Sequence, residues 1–165
     1  MTTPAIMRTR TRSELAAMVA DARTFDPNQV AGWVYRGTSL GLPALLERLT
    51  WIKFAKAFRR DRDRVHGWNI RIEQDALDRP WRPKLRHGRA VTFGRFDVVT
   101  DPGGIVLDYR ADGGGLRILR DPVVTLDDRA DTLLGRSLVA VGSRMVGTPS
   151  YFLLERDNRL DPTSL

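Results

Sequence analysis

Eight segments with strand-type patterns follow one another along most of this 165-residue chain, and short turns join nearly all of them. They are rich in aromatic and β-branched residues, which favour strands, and glycine or proline separates many of them. Short turns suit antiparallel neighbours, because parallel strands need long crossover connections. The sequence therefore predicts a mainly β, antiparallel fold. The segments are residues 32–37, 51–58, 65–75, 89–99, 105–111, 116–127, 132–142 and 150–157.

A meander of eight strands is expected to close into a barrel, because closure removes the exposed edges. A barrel of this size either holds one small ligand or is filled by its own side chains, and the sequence leaves both open. Gly94 and Gly135 lie inside predicted strands, where a barrel can bend, and we expect a bulge at Gly94. Pro122 is expected to break its segment into two pieces.

Two helices are predicted beside the strands. Residues 11–23 have an apolar stripe and capping residues at their start. Residues 40–49, with a proline near the start and leucines on one side, predict a short lid helix. The chain is expected to be one domain, residues 1–165, with flexible ends at 1–10 and 158–165.

The charge of the chain is strongly basic, with 27 Lys+Arg against 20 Asp+Glu and a net charge of +7. A basic domain is expected to bind nucleic acid when its charge is clustered. Here the arginines are spread along the chain, and the densest run, residues 59–64, also contains aspartates. Nucleic acid is therefore not the expected partner, and a basic nucleic-acid-binding surface is kept as a second alternative.

Several function classes are excluded by residues that the sequence lacks. Without cysteine there are no disulfides and no thiolate chemistry. No apolar run is long enough for a membrane span and no secretory pattern is found, so we expect a cytoplasmic location. The two histidines have no metal-ligand spacing, so neither a metal nor a cofactor is expected. The oligomeric state is left open, with a homodimer among the possibilities.

The candidate site residues come from strand alternation. His66 and Trp68 share one face of their segment with two isoleucines, and this face is predicted to point inward. His66 is interpreted either as a core-edge histidine or as a polar group that orients a ligand or moves a proton. Tyr109 is also predicted to face inward, where its hydroxyl needs a partner. The predicted ligand-binding residues are Trp33, Tyr35, Phe54, His66, Trp68, Phe93, Phe96 and Tyr109.

A glycine–tryptophan strand begins the predicted meander, with Gly32, Trp33, Tyr35 and Gly37, and an aromatic-rich strand, residues 150–157, ends it. This arrangement resembles the calycins, which include lipocalins and fatty-acid-binding proteins. More narrowly, it is similar to the bacterial GXWXG-type proteins of unknown function, although the spacing of the glycines and the tryptophan departs from that pattern. The resemblance implies a barrel that binds a hydrophobic small molecule.

The predicted function is binding of a small hydrophobic or aromatic molecule inside the barrel, as a carrier or sensor. The alternative is a small cofactor-free barrel enzyme, a cyclase or isomerase of a polyketide or terpenoid-type compound. Such an enzyme would accelerate its reaction mainly by proximity and orientation. His66, Tyr35 and Tyr109 would then supply the acid or base.

Overall fold

The structure is a computed structural model that describes residues 4–40 and 51–159. Apart from Leu40, the predicted lid helix at residues 40–49 lies outside the described residues. The elements in chain order are α1 (Pro4–Arg8), α2 (Arg12–Asp21), β1 (Trp33–Leu40), β2 (Lys53–Asp61), β3 (Arg64–Arg71), β4 (Leu85–Arg86), β5 (Arg89–Ala90), β6 (Thr92–Asp101), β7 (Gly104–Asp108), β8 (Leu119–Thr125), β9 (Thr132–Val141) and β10 (Arg144–Arg159). Short 3-10 turns are formed by Pro27–Gln29, Tyr109–Ala111 and Gly115–Ile118.

Eight of these strands form a closed antiparallel barrel. The order around the barrel is β1, β2, β3, β6, β7, β8, β9 and β10, and β10 pairs back with β1. Each of the eight predicted segments supplies one strand of the barrel, so the predicted fold class is confirmed. Strands β4 and β5 form a separate two-stranded ladder, and β5 uses the first two residues of the predicted strand segment 89–99.

Gly94 forms the predicted bulge between β3 and β6. Gly67 pairs with Phe96 and Asn69 pairs with Phe93, so two residues of β6 lie opposite Trp68 alone. The φ angle of Gly94 is +58°, in the left-handed region that favours glycine. The bulge lets β6 curve around the barrel, as strands do where closure requires a bend.

The predicted break at Pro122 is wrong, because β8 runs continuously through it. Pro122 pairs with Val106 of β7. On the other side of β8, the register with β9 passes from Arg120 to Val123 with no pair at Asp121 or Pro122. The missing N–H of the proline therefore falls at a gap in the ladder, where it costs no hydrogen bond.

One end of the barrel is filled by aromatic side chains, and we call it the closed end. The Phe58 ring packs edge-on against Tyr35 and Phe96, with ring centroids 5.4 and 5.5 Å away. The Tyr35 hydroxyl donates to the Ala130 carbonyl at 2.6 Å and accepts from the Arg156 guanidinium at 3.1 Å. All three rings are buried, so this end has the character of an ordinary protein core.

The outer surface of the barrel carries two further apolar layers. Helices α1 and α2 cover one of them, where Met7 and Leu15 pack in a cluster with Leu134 and Leu153. Met7 is buried, although residues 1–10 were expected to be a flexible end. The other layer packs against Trp81, from the segment between β3 and β4. No helix among the described residues is long and apolar enough to cross a membrane.

Candidate functional site

A cavity of about 300 Å³ lies inside the barrel, away from the closed end. Its walls are mainly apolar, and three serine hydroxyls also line it. The apolar residues are Trp51, Phe54, Phe93, Leu116, Leu119 and Phe152, and the serines are Ser39, Ser137 and Ser150. Four polar side chains, which we call the polar floor, also line the cavity among the described residues: Lys56, Asn69, Tyr109 and Asp121.

Surface grooves elsewhere have comparable or larger volumes. One of about 560 Å³ lies between α2 and residues 125–128, and one of about 320 Å³ lies beside residues 97–100. No charged residue that lines either groove is buried. The cavity in the barrel is the candidate site because it contains buried titratable groups, which are typical of functional sites.

Strand alternation brings the polar floor together. Phe54, Lys56 and Phe58 are alternate residues of β2 and point inward, since Phe54 and Phe58 pack in the barrel core. Asn69 comes from the neighbouring β3, Tyr109 from the 3-10 turn that follows β7, and Asp121 from β8. Three strands and one turn thus bring four polar side chains to the same cavity.

The Lys56 side-chain nitrogen is the centre of the polar floor. Its Nζ donates to Asn69 Oδ1 at 2.7 Å and to Tyr109 Oη at 2.6 Å. Asp121 Oδ2 lies 3.8 Å away, and the Lys56 and Asp121 side chains are only 4% and 5% exposed. Four aromatic rings have their centroids 5.1–5.4 Å from Nζ, those of Phe54, Phe96, Tyr109 and Phe152.

Burial shifts the titration of all three ionisable groups of the floor. It lowers the pKa of Lys56 to about 8, against the opposing effect of the Asp121 charge. It raises the pKa of Asp121, which the Lys56 charge and the Ser137 hydroxyl partly offset. It also raises the pKa of Tyr109 well above its usual value. Desolvation disfavours every charged form here, so Lys56 can lose its proton close to neutral pH.

Asp121 retains an unused hydrogen-bonding atom. Its Oδ2 accepts from the Tyr109 hydroxyl at 3.2 Å. Its Oδ1 is buried and has no hydrogen-bond partner of ordinary geometry among the described residues, although the Ser137 hydroxyl lies beside this carboxylate. A buried polar atom without a partner is uncommon and costly, and it indicates a position that another group is meant to satisfy.

Aromatic and basic side chains stack at the mouth of the cavity. The Trp51 ring packs edge-on against Phe93, with the ring centroids 4.7 Å apart. The Arg71 guanidinium lies 4.5 Å from the centroid of the Trp51 ring. Trp51 is partly exposed, so this stack forms a rim that a ligand would contact as it enters.

The predicted ligand-binding residues separate into three groups: those that line the cavity, those at the closed end, and two on the outer face of the barrel. Phe54, Phe93 and Tyr109 line the cavity, and their contact with a ligand remains a prediction. Tyr35 and Phe96 face inward but belong to the closed end. The Trp33 ring lies at the same end, with the Arg156 guanidinium 4.8 Å from its centroid.

The predicted inward orientation of His66 and Trp68 is wrong. Trp68 packs in the outer apolar cluster with Ala55 and Trp81, and the His66 ring lies beside it on that face. The inward residues of β3 are the alternate ones, such as Gly67, whose added Cβ would lie 2.6 Å from the Phe96 ring. Both faces of β3 are covered by other residues, so the apolar alternation marks the outer face instead of the inner one.

These positions change the acid–base residues proposed for an enzyme. His66 lies outside the barrel and cannot contact a molecule in the cavity. The Tyr35 hydroxyl is engaged at the closed end, and burial there raises its pKa to about 12. Of the three predicted groups only Tyr109 borders the cavity. The described residues include no group of three or more His, Asp or Glu side chains placed to hold a metal ion.

Sequence reasoning missed Lys56, Asn69 and Asp121. The signal for Lys56 was present, because it lies two residues from both Phe54 and Phe58 on one strand face. Asp121 precedes Pro122, at which the sequence predicts a break. Asn69 alternates with Trp68 along β3, so the prediction that Trp68 points inward implies that Asn69 points outward. Their assembly depends on the barrel register, which the sequence alone does not contain.

Comparisons with known proteins support no family assignment. No protein-family model matches the chain. No curated protein matches it either. The narrower resemblance to the GXWXG-type proteins therefore stays a prediction.

Two solved structures have a similar arrangement of strands. The siderocalin Ex-FABP, described as functioning through dual ligand specificities, is 13% identical, with a TM-score of 0.45 over 82% of this chain and 79% of that one. Apocrustacyanin C2 is 16% identical, with a TM-score of 0.44 over 92% of this chain and 72% of that one.

Proposed function

We propose that the protein binds a small, mostly apolar molecule inside the barrel, with one polar group of the ligand directed at Asp121. The observation that carries this proposal is the unpartnered Asp121 Oδ1 at the floor of a cavity with aromatic walls. Cavities with apolar walls and a few convergent polar groups are the usual form of small-molecule sites. A carrier or sensor role follows from this arrangement without any further group.

Two contributions would stabilise such a complex. Burying the apolar surface of the ligand contributes roughly 25 cal/mol for each Å² removed from water. A hydrogen bond to Asp121 Oδ1 would relieve an unsatisfied buried atom, which costs about 1–3 kcal/mol while it is unpaired. The first contribution sets affinity for apolar molecules in general, and the second selects those that carry a polar group at one end.

The size of the cavity limits the ligand. At about 300 Å³ it lies at the lower end of the range found for small-molecule sites. A molecule with a single ring, with two fused rings or with a short branched chain matches this volume. Its polar group would point toward the floor, and its apolar body would contact Phe54, Phe93 and Phe152.

The enzyme hypothesis is supported by the position of Lys56, a buried amine that borders the cavity and is hydrogen-bonded to Tyr109. The pKa of Lys56 is lowered to about 8 by burial, so its amine can accept a proton close to neutral pH. Lys56, with Tyr109 hydrogen-bonded to it, would then replace His66 as the acid–base group of a cofactor-free isomerase or cyclase. Turnover of a bound compound, measured by its chemical conversion, distinguishes this enzyme from a carrier.

Replacing Ser137 with leucine is expected to weaken ligand binding by at least about 10-fold, or about 1.4 kcal/mol. The reason is that Ser137 lines the cavity, and a larger apolar side chain there would occupy the space of the ligand. Isothermal titration calorimetry with 2-naphthol measures the effect, because this compound has two fused rings and one hydroxyl group.

The matched control is Ser13→Leu, which adds the same side chain at an exposed position of α2. We expect this variant to bind 2-naphthol as the unmodified protein does. Naphthalene, which lacks the hydroxyl, is expected to bind more weakly than 2-naphthol, and Asp121→Asn is expected to reduce that difference. Equal affinity of the Ser137→Leu and Ser13→Leu variants would place the binding site outside the barrel and contradict the proposal.

A further inference from the structure

We propose that Lys56 forms a Schiff base with a ligand that carries an aldehyde or ketone group. This inference rests on the proposed function, because the carbonyl compound must first enter the cavity. It goes further by assigning a chemical class to the ligand and a covalent bond to one residue. Lys56 lines the cavity, so its amine borders the space that the bound molecule would occupy.

The hydrogen bonds of the polar floor match a neutral amine. A neutral lysine amine has two N–H bonds and one lone pair, and Nζ donates to two acceptors, Asn69 Oδ1 and Tyr109 Oη. The Tyr109 hydroxyl in turn donates to Asp121 Oδ2. Asp121 lies 3.8 Å from Nζ, within ion-pair range but beyond hydrogen-bonding distance. The third position of the nitrogen therefore has no hydrogen-bond acceptor, and a neutral amine can direct its lone pair there.

Asp121 supplies the proton that the condensation needs. Burial raises the pKa of this carboxyl, which favours its protonated form, and its Oδ1 is unbonded. A carbonyl oxygen beside Oδ1 would accept its proton, and Nζ would attack the carbonyl carbon. Water then leaves with the carbonyl oxygen, one proton from the amine and the proton from Asp121. The product is an iminium ion that keeps the other amine proton, beside an Asp121 carboxylate.

The surroundings of Lys56 favour this product. Four aromatic rings surround Nζ at 5.1–5.4 Å, and the faces of such rings attract a cation. The Asp121 carboxylate would be the counter-ion of the iminium group. Water has little access to a side chain that is 4% exposed, which slows the reverse hydrolysis.

The other two lysines of the chain are internal controls. Lys53 is also buried, but its Nζ donates to Asp75 and to the carbonyls of Ala76 and Arg79. These three acceptors occupy every hydrogen-bonding position of the nitrogen, so no position is open to a carbonyl compound. Lys84 is exposed and borders no cavity that we describe. Lys56 is the one lysine of the three that is buried, borders the cavity and has a position on its nitrogen without a hydrogen-bond acceptor.

Reductive trapping with 2-naphthaldehyde and sodium cyanoborohydride tests the inference on the full chain. The expected result is one naphthylmethyl group per protein, located at Lys56 by peptide mass spectrometry. The Lys56→Arg variant is expected to lose this modification, and Lys84→Arg is expected to retain it. The labelling rate at Lys56 is expected to rise between pH 7 and pH 9. The reason is that burial lowers the pKa of Lys56 to about 8, against the opposing charge of Asp121; Asp121 and Tyr109 are the titratable groups that face Nζ.

Three results would overturn the inference. One is labelling confined to Lys84 and the N-terminus, and another is labelling of Lys56 that 2-naphthol does not block. The third is the absence of any adduct that depends on cyanoborohydride, in a protein that still binds 2-naphthol. This third result would leave the proposed function intact, whereas loss of both 2-naphthol binding and the adduct would overturn the two together.

Discussion

Replacing Phe58 with alanine is expected to lower the free energy of unfolding by about 3–5 kcal/mol, a large part of the stability of a typical domain. Phe58 is 1% exposed and packs edge-on against Tyr35 and Phe96 at the closed end. Removing the ring leaves a void that the surrounding strands cannot close, because the barrel fixes their spacing. Urea-induced unfolding, followed by circular dichroism, measures the change.

The matched control is Phe93→Ala at the mouth of the cavity. Phe93 is only partly buried, so we expect this variant to lose less than half as much stability as Phe58→Ala, while binding 2-naphthol more weakly. Together the two variants separate a filled end from a hollow end. A similar loss of stability at both positions would contradict this division of the barrel interior.

Raising the pH from 8 to 10 is expected to increase the contribution of Lys56 to stability by about 2–3 kcal/mol. The pKa of Lys56 is lowered from 10.5 to about 8 in the folded protein. Below pH 8 both states hold the proton, and the folded state bears the full cost of the buried charge. Between pH 8 and 10.5 only the unfolded state keeps the proton, so folding is increasingly favoured.

Two controls assign the rise in stability to Lys56: the range of pH in which it occurs, and a variant that lacks the lysine. Burial raises the pKa values of Tyr35 and Tyr109 in the folded protein. Above about pH 10 these tyrosines ionise in the unfolded state but not in the folded state, so the free energy of unfolding falls again. Urea unfolding at pH 7, 8, 9 and 10 therefore covers the window of Lys56. The Lys56→Met variant is expected to lack the rise. A rise of the same size in this variant would show that another group causes it.

The strands of this protein were predictable because each has a local signal. Aromatic and β-branched residues mark the segments, and Asp101–Gly104 forms the tight turn between β6 and β7. The bulge at Gly94 was also predicted, since a glycine inside a strand often marks a change of phase. Local signals therefore suffice to predict a closed meander.

The inner face of the barrel was harder to predict, because this fold buries apolar residues on both sides of its strands. In β3 the outer face carries Trp68 and Ile70 beneath Trp81, while the inner face carries Gly67 and Asn69. The hydrophobic pattern alone therefore assigns the wrong face. Which face points inward depends on contacts with a segment distant in sequence.

The polar floor depended on the same long-range information. Lys56 and Asp121 are 65 positions apart, and they meet only because β2 and β8 both turn these side chains toward the inside of the barrel. A lysine between two phenylalanines at alternate positions is unusual, since charged residues are rarely buried without partners. In a barrel, such a lysine is a useful signal of an internal polar site.

The central claim, that the cavity holds a small molecule, is tested most directly by a crystal structure of the protein grown with 6-bromo-2-naphthol. Anomalous scattering from bromine locates the compound independently of the protein chain. We expect one bromine peak in the cavity, near Phe93 and Trp51, with the hydroxyl group within hydrogen-bonding distance of Asp121. A cavity filled by protein side chains, with bromine bound only at the outer surface, would contradict the claim.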